Sequence, residues 1–183
     1  KKIIHRKILT HLENKRIFHS YNFFKKNLKK LRNYKKFSGA ISGGPDSMAL
    51  AFFLKCYEIE QRKKIYFYHI DHGLRESSKF EATKLKKKLK FFGINLKIIR
   101  WYKKKFRRGN LQSNARSNRY RLLFQQMEKD KSELILTGHT RNDLIENFFI
   151  RIFRGSGLGG FVSFNELNSK IGGKNIFRPF LDI

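Results

Sequence analysis

The chain has 183 residues, with 42 Lys and Arg against 14 Asp and Glu, a formal net charge of +28. That length suits one domain with a full core, and that charge points to a polyanionic partner such as RNA, with the compositional drift of an AT-rich coding sequence as the plain alternative for part of it. The lone Cys56 excludes a disulfide framework or a CxxC redox or metal pair, and no apolar run reaches the length of a membrane span.

Residues 1–35 read as basic amphipathic helices ahead of the main domain, which spans 36–183. Ile4, Ile8, Leu9 and Leu12 share one helical stripe, and Phe23, Phe24, Leu28 and Leu31 mark a second helix between Tyr21 and Leu31. The basic first twenty residues also resemble a transit peptide superficially, but an ordinary surface helix explains them and is the preferred reading. Lys36 to Ile41 reads as a short strand. Ser42-Gly43-Gly44-Pro45-Asp46-Ser47 is a turn, and Met48 to Leu54 a helix apolar on every face and hence buried. Cys56, at the end of that helix, reads as a small core residue in a reducing compartment, most simply a bacterial cytoplasm or an organelle derived from one.

Ile65 to Ile70 is a continuous apolar run, expected of a strand covered on both faces, and it ends in the loop Asp71-His72-Gly73-Leu74-Arg75. A helix over Glu81–Phe92 turns Leu85, Leu89 and Phe92 inward and closes at Gly93. Asn95 to Trp101 alternates and suits a third strand near an edge. Lys103 to Gly109 is a basic loop, and Asn110 can cap a helix from Leu111 to about Lys129. Glu133 to Thr137 makes a fourth strand, Asp143 to Phe153 a further helix, and the glycine-rich span Arg154–Gly160 a candidate mobile segment. Alternating strands and helices predict an α/β fold, a parallel twisted sheet with helices on both faces, whose ligands bind at the carboxyl ends of the strands.

The turn at Ser42–Ser47 carries the chemistry. A glycine pair between strand and helix leaves backbone N–H groups uncovered at the positive end of the helix, where a phosphate can sit. Pro45 suits the first helical position. Asp46 would repel phosphates unless a cation lay between, so it predicts Mg²⁺ on a polyphosphate. The helix end alone supplies about 0.3–1 kcal/mol, too little to hold a triphosphate without metal or Arg/Lys help. The spacing differs from GxxxxGK[ST], and no Lys follows the glycines.

Asp143 and Glu146 fall on one face of a first helical turn, able to bind Mg²⁺ or simply to stabilise the helix's positive end. His139 has no Cys or His at ligand spacing, which favours a polar contact to nucleotide over zinc. Arg116, Arg119 and Tyr120 are expected on one helical face, where paired arginines suit phosphate and a solvated basic face is the plain alternative. Arg154-Gly155-Ser156-Gly157 can cradle phosphate or merely terminate a helix.

SGGxDS at Ser42–Ser47 resembles the pyrophosphatase loop of the ATP-pyrophosphatase (PP-loop) superfamily. SGGPDSMAL at Ser42–Leu50, DHGLR at Asp71–Arg75, NLQSNARSNRYRLL at Asn110–Leu123, GHTRNDLIENFFIRIFRGSGLGG at Gly138–Gly160 and RPFLDI at Arg178–Ile183 occur in that order and are similar to the tRNA(Ile)-lysidine synthetase family. The resemblance implies ATP-dependent attachment of free L-lysine to the wobble cytidine of a tRNA(Ile) with a CAU anticodon. Cytidine O2 would attack the α-phosphate of ATP, pyrophosphate would leave, and lysine's amine would then displace AMP at C2. Carried over, Ser42, Gly43, Gly44, Pro45, Asp46, Ser47 and His139 surround ATP. Asp46 and Asp143 hold Mg²⁺ and act in catalysis with Arg116, while Arg119 and Arg154 meet the RNA. A homodimer is compatible with this reading.

Two departures stand out. Many family members carry adjacent aspartates where this chain has Asn142-Asp143, and the family continues into C-terminal tRNA-binding domains, so this chain reads as a piece of a longer protein. The competing expectations are another PP-loop adenylating enzyme, or a non-catalytic copy that binds ATP or RNA.

Overall fold

Short buried strands joined through helical crossovers set the centre of the sheet. The computed structural model describes residues 2–73, 75–101, 111–143, 145–146, 149, 168–171 and 174–181. Strands β1 (Phe37–Ala40), β2 (Ile65–Asp71), β3 (Leu96–Arg100), β4 (Leu134–Thr137), β5 (Asn168–Ile171) and β6 (Lys174–Phe177) form one sheet in the order β3-β2-β1-β4-β6-β5. All neighbours are parallel except β5 and β6. β4 is buried at every position, as a central strand with both faces covered should be. β3, expected near an edge, is one of the two edge strands.

Helices α1 (Lys2–Thr10), α2 (Lys15–Lys29), α3 (Pro45–Gln61) and α4 (Ser78–Phe91) contribute to one core, and α5 (Leu111–Asp130) to the other. Asn14 caps α2 by accepting from the N–H groups of Arg16 and Ile17. The larger core is rich in rings: Phe24 and Phe53 meet at 5.4 Å between centroids, and Phe180 lies 5.9 Å from Phe24. Asn27 of α2 donates to the Pro179 carbonyl at 3.0 Å, so the N-terminal helices are built into the same core as the far end of the chain. On the opposite face Tyr120, Leu123 and Met127 of α5 pack on Tyr68, Ile135 and Ile176. The Tyr68 hydroxyl donates to Asp130 at 2.9 Å, pinning the end of α5 to β2.

Four expectations change. The helix expected at Met48–Leu54 runs from Pro45 to Gln61 and is not buried all round: Ala49 is exposed, and Met48 and Phe52 are half-buried. Its contact with β1 is tight, since a Cβ on Gly39 would lie 2.7 Å from Leu54 Cδ1. The helix expected at Glu81 begins at Ser78, and of its inward residues Leu89 is buried while Leu85 and Phe92 are half-covered. Tyr120 and Arg119 do not share an environment: Tyr120 is in the core and Arg119 is exposed, because that stripe straddles the edge of the buried face. Finally, the sheet gains β5 and β6, the former antiparallel, from segments too polar to announce themselves as strands.

Cys56 is fully buried in the larger core, where burial pushes its thiol up to about 12, as for an inert structural cysteine. No helix among the described residues is long and apolar enough to cross a membrane. The basic loop Lys103–Gly109, the Asn110 cap, Leu74 and the span Arg154–Gly160 lie outside the described residues.

Candidate functional site

The strand order reverses direction between β1 and β4: the chain steps outward through β2 and β3, then returns across the other face to β4. Loops leaving the carboxyl ends of two such strands diverge to opposite faces and open a crevice between them. The Ser42–Ser47 turn leaves β1 there, and Gly138-His139-Thr140 leaves β4 beside it.

Glycine brings the two loops together. A Cβ on Gly138 would fall 2.9 Å from the Asp46 carbonyl oxygen and 3.0 Å from the Ser47 nitrogen, so only a residue without a side chain allows this approach. Gly43 has φ of 102°, a conformation that favours glycine, and Gly44 occupies the N-cap of α3 with no side chain capping the helix. Pro45 takes the first helical position, as expected. Ser42, Gly43, Gly44, Pro45 and Asp46 are all exposed.

Ser47 behaves differently. The residue is 6% exposed, and its hydroxyl accepts from Gly43 N–H at 2.9 Å, donates to the Gly44 carbonyl at 2.9 Å and lies 3.1 Å from the Ser42 hydroxyl. It holds the turn in shape from within. The peptide entering the turn is fixed from β2: Ile41 N–H donates to the Tyr68 carbonyl at 2.8 Å, and His69 Nδ1 donates to the Ile41 carbonyl at 2.7 Å. Sequence reasoning passed over His69; its place in an apolar strand hid a polar contact made across the sheet.

Beyond β4, residues 141–143, 145–146 and 149 are helical. Asp143 accepts from Thr140 N–H at 2.6 Å and from the Thr140 hydroxyl at 3.0 Å, so one of its oxygens reaches back to the start of this helix. The capping role and a place in the site coexist. Asp46, Thr140, Arg141, Asn142, Asp143 and Glu146 line one cavity of about 330 Å³. Asp46 and Asp143, expected to act together, do face the same space, with Glu146 beside them. Arg141 was not singled out from the sequence; its cation offsets the carboxylates and suits a polyphosphate. His139 is half-buried and its Nδ1 lies 2.9 Å from the Thr137 hydroxyl, which orients the ring from its own strand.

The donors fit Mg²⁺, an ion that takes oxygen ligands and is commonly held by one or two carboxylates plus substrate phosphates. Asp46 and Asp143 supply such carboxylates from opposite sides of the crevice. Among the described residues no group of three His, Cys, Asp or Glu is placed to hold a metal ion by protein ligands alone.

Asp71 of the next loop is 6% exposed, accepts from Gly73 N–H at 3.0 Å and stands 4.0 Å from Arg100. Next to it, His72 meets the Trp101 ring edge-on at 5.8 Å between centroids. Burial, and then the charge of Arg119, lower the pKa of His72 below 6.5. Arg116 lies within α5, but its side chain is outside the described residues, as is all of Arg154.

A family described as PP-loop domains matches residues 15–183. Among curated proteins, the chain is 35% identical over 146 residues to a tRNA(Ile)-lysidine synthase of Bradyrhizobium diazoefficiens, covering 79% of this chain and 40% of that protein. It is 34% identical over 148 residues to that of Orientia tsutsugamushi, covering 81% and 33%. For Lactobacillus gasseri the figures are 33% over 162 residues, 87% and 37%. The chain thus spans well under half the length of these relatives. Among solved structures, the U34-tRNA thiolase NcsA of Methanococcus maripaludis with its 4Fe-4S cluster superposes with a TM-score of 0.67 at 18% identity, over 90% of this chain and 59% of that one. The FMN adenylyltransferase of Candida glabrata, in complex with FMN and an ATP analogue, gives 0.59 at 12% identity, over 98% and 60%. These two likenesses concern the fold. With its Ser-Gly-Gly-Pro-Asp-Ser turn at the reversal of a parallel sheet, this chain belongs to the PP-loop domain family.

Proposed function

We propose that the protein carries the adenylating site of a tRNA(Ile)-lysidine synthase: it uses ATP to join free L-lysine to the wobble cytidine of a tRNA(Ile) with a CAU anticodon. The observation that carries this reading is the crevice in which Asp46 and Asp143 face one cavity beneath an uncapped helix end. The name shared by the three relatives above supplies the substrate class.

Uncapped N–H groups at the start of α3 bind and orient the phosphates, and Arg141 adds a cation at the mouth. Asp46 and Asp143 hold Mg²⁺, which supplies neutralising charge to the polyphosphate. Ser47 and His69 keep the turn in the conformation that presents those donors. Cytidine O2 bonds to the α-phosphorus as pyrophosphate leaves. Lysine's amine then bonds to C2 as the C2–O2 bond breaks and AMP departs, carrying the oxygen. Arg116 serves this chemistry from α5, His139 touches the nucleotide, and Arg119 and Arg154 contact the RNA.

The thiolase fold neighbour does not extend its chemistry here, since an iron–sulfur cluster is held by several cysteine thiolates and this chain has one cysteine, fully buried. The test is pyrophosphate release by the full-length protein with unmodified tRNA(Ile) and lysine, against ammonia or small acceptors, with mass spectrometry of the wobble nucleoside. Lysine-dependent release with a lysidine product supports the reading. Release that follows another acceptor overturns it.

A further inference from the structure

α4 holds six lysines and one glutamate, and all six lysines are exposed. With 3.6 residues per turn, its side chains sort into three columns. Ala82, Leu85 and Leu89 face the sheet, and Ala82 and Leu89 are buried. Lys79, Lys86 and Lys90 form a second column. Phe80, Lys84, Lys87 and Phe91 form a third, on the side away from the core. Phe80 and Phe91 in that column are 71% and 69% exposed. Phe91 meets Phe92 edge to face at 5.6 Å, which leaves most of its ring in solvent.

Two outward phenyl rings, about 16 Å apart at 1.5 Å per residue with lysines between them, each keep more than two-thirds of their surface in solvent. A purely solvated helix face would carry lysines throughout. The position matters as well. α4 touches the phosphate turn from behind, since a Cβ on Gly43 would lie 3.4 Å from Leu85 Cδ2, so the column runs one helix width from the crevice.

We propose that this outer face of α4 is an RNA-docking surface. On it, Phe80 and Phe91 stack on unpaired bases of the substrate tRNA while Lys84 and Lys87 meet the phosphates between them. Charge complementarity selects the occupant: a chain of +28 whose helix face alternates rings with cations fits a polyanion that has flat faces to stack. Unpaired loop bases offer those faces, whereas bases inside a duplex are already stacked. The tRNA as occupant rests on the function proposed above; the surface itself does not.

The test measures affinity of the full-length protein for unmodified tRNA(Ile), without ATP or lysine, for F80A/F91A and for K84Q/K87Q. Both pairs sit on an exposed helix face and retain good helix formers, so thermal unfolding and the KM for ATP should stay unchanged. F80A/F91A should weaken tRNA binding about tenfold or more with an unchanged salt slope, because stacking is insensitive to ions. K84Q/K87Q should weaken it and lower the slope of log K against log salt by about 1.5. Unchanged affinity and slope in both variants would overturn the proposal. So would loss of binding to phosphatidylserine vesicles, or loss of self-association, with tRNA affinity intact. If affinity falls as expected but no lysidine forms with the parent protein, the surface stands and the assigned reaction falls.

Discussion

The loops that leave β1 and β2 are neighbours with similar parts, and they treat those parts in opposite ways. Each has an aspartate, a glycine with positive φ and a buried polar side chain bonded to its own backbone. In the β2 loop the buried group is the aspartate itself: Asp71 closes the turn and faces Arg100. In the β1 loop Ser47 does that work from inside, which leaves Asp46 exposed toward the cavity. A carboxylate is available to a ligand only where some other side chain has taken over the shaping of the turn.

The sharpest test exchanges the two aspartates' fates. Asp46→Asn should lower Mg²⁺-dependent ATP turnover by about 10²-fold or more while the thermal midpoint and RNA affinity hold, because an exposed carboxylate is lost without disturbing the turn. Asp71→Asn should instead destabilise by about 1–3 kcal/mol in urea unfolding, with turnover per folded molecule largely kept. If Asp71→Asn abolished turnover in a fully folded protein, the contrast would be wrong.

Next in size is Gly138→Ala. Its methyl would meet the Asp46 carbonyl at 2.9 Å, and backbone cannot step aside cheaply. We expect about 1–3 kcal/mol of destabilisation with a clear loss of ATP binding, read together by calorimetry and unfolding. The same substitution at Gly44, where the nearest atom is 3.9 Å away, should cost far less stability.

His69 lies between the two loops and should show an intermediate effect. His69→Phe removes the donor to Ile41, and the KM for ATP should rise about fivefold. Asn offers an amide N–H near the position of Nδ1, so His69→Asn should recover part of that loss. Equal behaviour of Phe and Asn would dissociate this hydrogen bond from the site.

The smallest effect concerns pH. Burial and Arg119 hold the His72 pKa below its unfolded value of 6.5, so the unfolded chain binds the proton more readily. His72 therefore costs no stability above pH 6.5, and stability falls as pH drops from there through the lower folded value. His72→Gln should flatten this part of the stability profile below about pH 7, measured by urea midpoints.

Much of this site was legible in the residues. The Gly-Gly turn with Asp46, the four strands through Thr137 and the carboxylate pair Asp143 and Glu146 all follow from local pattern and side-chain chemistry. The double duty of Asp143 was also foreseeable, because a Thr three residues before an acid is a helix-start signal. Other features were hidden. β5 and β6, at Asn168–Ile171 and Lys174–Phe177, carry no apolar strand pattern, and they become strands because β4 offers an edge to extend. Phe180 looked like part of a motif and proves to be a core ring against Phe24 and Phe53. His69 and Ser47 act through partners that no periodicity reveals.

By itself, then, the sequence determined which turn could bare its main chain, which side chains could meet phosphate and metal, and which segments up to Thr137 would be strand or helix. All of these depend on conformational preference and chemistry within a few residues. Only the tertiary structure decided that Asp46 and Asp143 share a cavity, and that Ser47 and Asp71 are used inward. It also decided that Phe80 and Phe91 stay in solvent. Those outcomes depend on strand order and on which helix face meets the sheet. Both are set by burial summed over the whole chain, so no local stretch encodes them.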